Sequence, residues 1–572
     1  MRLALCQFNP LVGDLRGNGA LLLAKCQRAA ASGADLVVAP ELALWGYPAR
    51  DLLLRPSLRR LQGDVLDQLA SALPAGLGLL LGIAEPISDG NQPDLSNAAA
   101  LVDAGRWQVV ARKQLLPSYD VFDERRYFRS GSGPCLLEIE RQGRRWSLGL
   151  TLCEDLWVEE RIAGPRLAGA DPIAALQPLK PDLLLNLSAS PFSQGKAALR
   201  QQLAGAAARR LGCPVVYVNQ VGGNDELVFD GASFVVDASG SICQQLPCSQ
   251  TALAYWDWDG GLSPAGILEP LPPAAVLPGP EEQLFRALVL GVGDYARKCG
   301  FQRALLGLSG GIDSALVAVI ACAALGPGAV QALLMPSPYS SSGSRSDAEA
   351  LAARLGLSQQ TVAITALMGA FDAALTPALG APPAGLTAEN LQSRIRGTLL
   401  MALANQGGQL LLATGNKSEL AVGYCTLYGD MNGGLAVIGD LYKTTVFQLC
   451  AWLDSDGARA CRRDLGLPEA GDLIGAAIRL KPPSAELHPG QRDSDSLPDY
   501  AQLDPLLQAY IEQHRSPEDL GPELEGMDPA LAQRVDGLLR RAEFKRRQAA
   551  PVLKVGPRAF GSGWRMPIAA GP

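Results

Sequence analysis

The sequence predicts an α/β protein made of two units in tandem. Short apolar runs alternate with amphipathic segments over residues 1–260, and a strand–helix alternation returns over 281–548. Between them "GLSPAGILEPLPPAAVLPGP" (261–280) is too rich in Pro and Gly for a regular element and reads as a linker, while 549–572 reads as a C-terminal tail. The 572 residues are 48% hydrophobic and 19% charged, ample for two sizeable cores. Net charge is 50 − 57 = −7 with no basic block, which argues against nucleic-acid or membrane-surface partners. No apolar run approaches the ~20 residues of a membrane span. The opening "MRLALCQFNP" is broken too early for a signal peptide. The 12 cysteines are scattered, without a CxxC pair or a Cys/His cluster, so neither a zinc site nor a disulfide framework is expected. The expected location is a reducing cytoplasm.

In the first unit the strand candidates are "RLALCQF", "ADLVVAP", "LGLLLGIAE", "AAALVDAG", "QVVARKQLL", "WSLGLTLC", "PDLLLNLSA", "PVVYVNQV" and "ASFVVDASG". "DAGRW" and "DASGSI" have the composition of hairpin turns, so part of the sheet system is antiparallel. Helices are expected near 18–32, 57–71, 161–176 and 196–211. In the second unit a helix (281–298) precedes strand "RALLGLS", helix "SALVAVIACAAL", strand "VQALLMP" and helix "SDAEALAARLGL". That order predicts βαβ units and a Rossmann-like parallel sheet. The polar stretch 481–500 exceeds an ordinary connection and reads as a lid or as disorder.

Glu41, Lys113 and Cys153 each stand at the end of a predicted strand. Singly, each has a bland alternative: a surface glutamate, a solvated lysine, a buried apolar cysteine. Together they suit amide cleavage. Cys153 would attack a carbonyl carbon, and Glu41 would take the thiol proton and later activate water. Lys113 would favour the thiolate and stabilise the oxyanion. A carboxylate base also suits a chain whose two histidines, His488 and His514, lie far downstream.

The stretches "PELALWGYP", "RKQLLPSYDVFDERRYF" and "LCEDLW" closely resemble the Glu–Lys–Cys signatures of the nitrilase/amidase superfamily. The resemblance covers about the first 260 residues and implies a nitrilase-like α-β-β-α sandwich that hydrolyses an amide or nitrile through a thioester or thioimidate. It implies that Glu124 holds the lysine. For the glutamine-hydrolysing branch it implies glutamine contacts from Tyr119, Ser190 and Lys196.

The most specific signal is "LLGLSGGIDSALVAV" (305–319), a strand, a Gly-rich turn and a helix in immediate succession. Backbone N–H groups, a helix N-terminus and hydroxyls can cradle phosphate there, and Asp313 can hold magnesium. The lysine of a GxxxxGK[ST] loop is absent. The order SGGxDS resembles the pyrophosphate loop of the ATP pyrophosphatases, which split ATP to AMP and pyrophosphate. By that resemblance ATP lies against Gly307, Leu308, Ser309, Gly310, Gly311, Ile312, Asp313 and Ser314.

"TAENLQSRIRGTLLMALAN", "LLATGNKSELAVGYCTLYGDMNGG", "LYKTTVF", "KPPSAEL" and "EFKRRQ" further resemble NAD synthetases. This implies that Thr414 and Lys443 contact ATP, and that Asn390, Arg394, Glu419 and Lys545 line a deamido-NAD site. Asp313 and Glu419 would hold Mg2+, with ATP as co-substrate. The whole chain is thus similar to the glutamine-dependent NAD synthetases. The implied reaction converts deamido-NAD, ATP and glutamine to NAD, AMP, pyrophosphate and glutamate through a nicotinate adenylate. Small molecules are the expected partners, with assembly as a homo-oligomer. Because ammonia in neutral water is mostly ammonium, an ammonia channel inside the protein is expected. Other ATP-pyrophosphatase amidotransferases use a histidine-dependent or N-terminal cysteine nucleophile; here residue 2 is Arg2 and the first half has no histidine. A non-catalytic scaffold is the remaining alternative, disfavoured by the intact Glu41, Lys113 and Cys153.

Overall fold

The computed structural model describes residues 1–259, 276–520, 524 and 526–570. Most of the linker expected at 261–280, and the last two residues of the tail expected at 549–572, therefore lie outside the described residues. The chain divides into two compact units, Met1–Gln283 and Leu284–Pro572.

The first unit begins with β1 (Arg2–Gln7), β2 (Leu36–Val38), β3 (Gly78–Pro86), β4 (Leu95–Asp103) and β5 (Arg106–Arg112). There follow β6 (Cys135–Arg141), β7 (Arg144–Leu152), β8 (Leu183–Ser188) and β9 (Val215–Asn219). The last are β10 (Val221–Asn224), β11 (Leu227–Asp230), β12 (Phe234–Val236), β13 (Ile242–Gln245) and β14 (Ala252–Asp257). They form two six-stranded sheets, β14-β1-β2-β3-β4-β5 and β13-β12-β9-β8-β7-β6, plus the hairpin β10-β11.

Side-chain alternation builds the layers. Leu3, Leu5, Leu36 and Val38 of one sheet share a core with Leu148, Leu150, Leu183 and Leu185 of the other. The opposite residues Ala4, Cys6, Val37 and Leu79 pack against the helices Leu15–Ala31 and Pro56–Ala72. On the far side Leu184, Val215 and Tyr217 meet Ala204, Ala207 and Ala208 of helix Lys196–Leu211. The result is the expected α-β-β-α sandwich, with both predicted hairpins present as the antiparallel pairs β4/β5 and β12/β13.

Three expectations need correction. The strand expected to reach Glu41 stops at Val38, because Pro40 has no N–H for the ladder. The helix expected at 161–176 is two short pieces, Glu160–Ala163 and Pro172–Leu176, separated by Gly164, Pro165 and Gly169. Strands β6, β10, β11 and β14 were not anticipated. The segment of β6, "CLLEIER", mixes charge into a short run at a sheet edge, and β10 and β11 are only four residues each.

The second unit holds a wholly parallel sheet of β15 (Ala304–Gly307), β16 (Val330–Leu334), β17 (Ser358–Thr361), β18 (Leu410–Ala413) and β19 (Leu435–Ala436). Its order is β17-β16-β15-β18-β19. The chain runs outward on one side of β15, then crosses to the other, so β15 marks the switch point where such sheets open a ligand crevice. Helix Ile312–Leu325 leaves β15 almost entirely apolar and buried, as a central helix must be. Residues beyond 548 fold back: Phe560 and Trp564 join the core around Leu503 and Leu507, and the Trp564 indole donates to Glu543 (2.7 Å).

Candidate active sites

In the first unit the sheets deliver Glu41, Lys113, Glu124 and Cys153 to one buried cluster. Lys113, next after β5, donates from Nζ to Glu41 Oε1 (2.7 Å) and Glu124 Oε1 (2.8 Å). The Tyr47 hydroxyl also donates to Glu124 Oε1 (2.8 Å), and the Ala189 N–H donates to Glu41 Oε2 (3.0 Å). Glu41 can lie so close to β3 because Gly82 has no side chain; a Cβ there would stand 2.1 Å from Leu42 N.

Cys153 follows β7 directly, with φ 42°. A side-chain-bearing residue in the left-handed region costs roughly 1–2 kcal/mol, and such strain is held by surrounding bonds. Here Asp155 supplies them. Its carboxylate accepts the N–H groups of Leu152 (3.2 Å), Gln114 (2.9 Å) and Leu115 (2.8 Å). One acid thus ties the cysteine turn to the segment that carries Lys113.

Burial pushes the Cys153 thiol well above its ordinary value; Glu41 adds to the rise, and Lys113 opposes it. Lys113 thus acts in the expected direction, against a larger effect of burial. At rest the thiol keeps its proton, so a base has to take it as the new bond forms. Burial alone would lower the Lys113 ammonium, but Glu124 and Glu41 hold it well above its ordinary value, so it stays charged. Burial pushes the Glu124 carboxyl up to about 7, with Lys113 opposing and Glu41 adding.

The residues expected to hold glutamine are less uniform. The Tyr119 hydroxyl donates to Glu154 (2.9 Å), the carboxylate directly after the cysteine. Lys196 lies over the rings of Trp157 (5.3 Å) and Phe122 (5.9 Å). Ser190 is buried, and its N–H donates to Asn219 (2.8 Å). Sequence reasoning gave no role to Asn97, Tyr47, Glu154 or Asp155. Only the acid pair after Cys153 was a visible signal.

In the second unit the Gly-rich turn sits at the C-terminal end of β15. Ser309 and Ser314 hydroxyls meet at 3.1 Å, and Gly311 N–H donates to Ser309 Oγ (3.2 Å). Gly310 has φ 81°, and a Cβ on it would stand 2.1 Å from Ser344 O, so only glycine fits. Asp313, in the first turn of the helix, pairs with Lys443 and accepts from Asn416 Nδ2 (3.0 Å). Lys443 also faces Glu419 (3.7 Å). Burial pushes the Glu419 carboxyl up to about 8; Asp313 adds and Lys443 opposes.

Magnesium typically binds through one or two carboxylates plus substrate phosphates and water. Asp313 and Glu419, converging on Lys443, fit that mode, and no fuller cage of His, Cys, Asp and Glu occurs among the described residues. Thr414 follows β18 at the same sheet edge as the Gly-rich turn. Asn390 Oδ1 accepts from Thr426 (2.9 Å), Arg394 Nε donates to Leu427 O (3.2 Å), and Lys545 Nζ donates to Gly423 O (2.7 Å) and Cys425 O (2.8 Å). These three therefore gather around the segment 423–427.

The loop 481–500 is ordered against this site. Lys481 Nζ donates to Gly310 O (3.2 Å) and pairs with Asp347 (2.5 Å). Glu486 accepts from Ser344 Oγ (2.7 Å) and Ser341 N (3.2 Å). Of the two readings of the loop, the contacts argue against disorder.

Residues 2–262 match the carbon-nitrogen hydrolase family and residues 284–549 the NAD synthase family. The chain is 48% identical over 570 residues to a glutamine-dependent NAD(+) synthetase of Synechocystis sp., covering 99% of this chain and 98% of that one. It is 42% identical to one of Rhodobacter capsulatus, with the same coverage. Among solved structures it is similar to a glutamine-dependent NAD+ synthetase of Acinetobacter baumannii in complex with ADP. That likeness has a TM-score of 0.74 at 37% identity, over 99% of this chain and 98% of that one. A second, from Cytophaga hutchinsonii, shares the fold with a TM-score of 0.78 at 20% identity.

Proposed function

The chain belongs to the glutamine-dependent NAD(+) synthetase family, and from that premise we propose how its residues divide the work. The enzyme amidates deamido-NAD to NAD at the expense of ATP, with glutamine as nitrogen donor. In residues 1–260, Cys153 attacks the glutamine carboxamide and Glu41 receives the thiol proton. Lys113, held by Glu124, stabilises the oxyanion. The observation that carries this reading is the buried Lys113 bridging Glu41 and Glu124 beside a cysteine in strained backbone. Tyr119, Ser190 and Lys196 face the rest of the glutamine.

In residues 281–548, the Gly-rich turn, Thr414 and Lys443 bind ATP, while Asn390, Arg394, Glu419 and Lys545 hold deamido-NAD. Asp313 and Glu419 would hold Mg2+, which when bound would neutralise phosphate charge. The nicotinate carboxylate attacks the α-phosphorus of ATP, pyrophosphate leaves, and ammonia then displaces AMP from the adenylate.

The cysteines are thiols rather than disulfides among the described residues, which supports a cytoplasmic setting. No helix among the described residues is long and apolar enough to cross a membrane. A homo-oligomer is supported by helix Thr365–Leu379, which buries no residue within its unit and exposes Leu367, Phe371 and Leu379.

The test is to mix the protein with ATP, Mg2+, glutamine and deamido-NAD and to identify NAD by mass. Omitting ATP or deamido-NAD should remove it. Lys113→Met is expected to lower NAD formation from glutamine by about 10²–10³, the size of a lost oxyanion donor. It should also lower the melting temperature, because two buried carboxylates lose their cation. Glutamine-driven rates near wild type would remove Lys113 from the mechanism.

A further inference from the structure

The Asn97 carboxamide spans both carboxylates of the Lys113 network. Its Nδ2 donates to Glu41 Oε1 (2.7 Å) and reaches toward Glu124 Oε2 (3.5 Å). Its backbone carbonyl accepts the Lys113 N–H (2.8 Å). One residue of β4 thus touches three members of the cluster. Asn97 is fully buried, yet its Oδ1 has no hydrogen-bond partner among the described residues. An orphaned buried carbonyl is costly, and an apolar side chain of the same shape would avoid that cost. What the position uses is therefore the NH2 group.

Each carboxylate oxygen offers about two acceptor sites. Glu41 Oε1 has two donors, Lys113 Nζ and Asn97 Nδ2. Glu41 Oε2 accepts one hydrogen bond among the described residues, from Ala189 N–H. We propose that Asn97 is a positioning residue of the glutamine-cleaving centre: with Lys113 it saturates Glu41 Oε1, and so makes Oε2 the oxygen that takes the Cys153 proton. The inference rests on the assignment of Glu41 and Cys153 given above.

The steps balance as follows. Cys153 Sγ bonds to the carboxamide carbon, its proton passes to Glu41 Oε2, and the carbonyl π pair moves to oxygen. The pair returns, the C–N bond breaks, and the proton on Oε2 goes to the departing nitrogen as ammonia. An Asn97 variant lets the carboxylate turn and loses a donor to the charged form, which makes protonation of the cluster easier. The groups facing Glu41 are Lys113, Glu124 and Cys153, with Tyr47 and Glu154 also acting on the cluster.

The test compares full-length Asn97→Leu, Asn97→Ala and Cys153→Ala for glutamine hydrolysis across pH, with thermal unfolding as the check on folding. Asn97→Leu is nearly isosteric and removes the orphaned carbonyl. It is expected to lower kcat by about 10- to 100-fold, the range of an impaired general base. The KM for glutamine should stay near wild type. The acid limb of kcat/KM should move up by about one pH unit, the size of one lost charge-assisted hydrogen bond. NAD formation from ammonium should be unchanged. A residue that only packs would give wild-type kcat and an unmoved acid limb in Asn97→Leu, and that result overturns the proposal. Should Asn97→Leu fail to fold, Asn97→Ala removes the same NH2 group without adding a charge and carries the same two readouts with the same meanings. Retained hydrolysis in Cys153→Ala would instead overturn the underlying assignment. An inactive Cys153→Ala beside an unaffected Asn97→Leu overturns the role of Asn97 alone.

Discussion

Cys153→Ala is expected to abolish NAD formation from glutamine while leaving formation from ammonium salts near wild type. The proposed nucleophile belongs to the first unit, and the adenylate chemistry needs only ammonia. Loss of a covalent nucleophile is among the largest single effects in catalysis, so the glutamine-driven rate should fall to background. Folding should be little affected: alanine meets the same left-handed backbone at φ 42° that cysteine already tolerates. The check is paired steady-state assays with glutamine and with ammonium chloride. Surviving glutamine-driven activity would exclude Cys153 as nucleophile. Loss of both activities would mean that the substitution reaches beyond the amide-cleaving step.

Asp313→Ala is expected to abolish synthesis from both nitrogen sources. Asp313 pairs with Lys443 and is held by Asn416 beside the Gly-rich turn. Removing it takes away a proposed magnesium ligand and leaves Lys443 with Glu419 as its remaining partner among the residues described above. Metal stabilisation of phosphoryl charge contributes several kcal/mol, so a fall of about a hundredfold or more is expected in ammonium-driven synthesis. Hydrolysis of glutamine by the first unit should remain measurable. Near wild-type synthesis from ammonium would remove Asp313 from the phosphate site.

Much of the fold was legible because it follows from periodicity. Alternation along β1 and β8 assigns Leu3, Leu5 and Leu185 to the core between sheets and Ala4 and Leu184 to the helix-facing sides. The strand–helix order around residues 304–334 led directly to a parallel sheet. Edges were harder. Strand β6 mixes charge with apolar residues, and nothing local marks β14 as the partner of β1 at the opposite end of the unit.

At the amide-cleaving site the chemistry-bearing residue types were visible, but their supports were not. Asn97 reaches Glu41 only because β4 pairs with β3, and Tyr47 reaches Glu124 only through tertiary folding. No spacing rule encodes such contacts. How far burial outweighs Lys113 at the Cys153 thiol was not legible either, because burial is a property of the folded unit. The order of 481–500 rests likewise on partners more than a hundred residues away, Gly310, Ser341 and Ser344.

The central claim is that nitrogen cut from glutamine at Cys153 becomes the amide nitrogen of NAD. It is tested most directly by supplying amide-¹⁵N glutamine as the nitrogen source, with ATP, Mg2+ and deamido-NAD, and weighing the NAD formed. The account predicts NAD one mass unit heavier than the unlabelled product, formed by the wild-type chain and absent with Cys153→Ala. Unlabelled NAD, or labelled NAD still formed by Cys153→Ala, would contradict it.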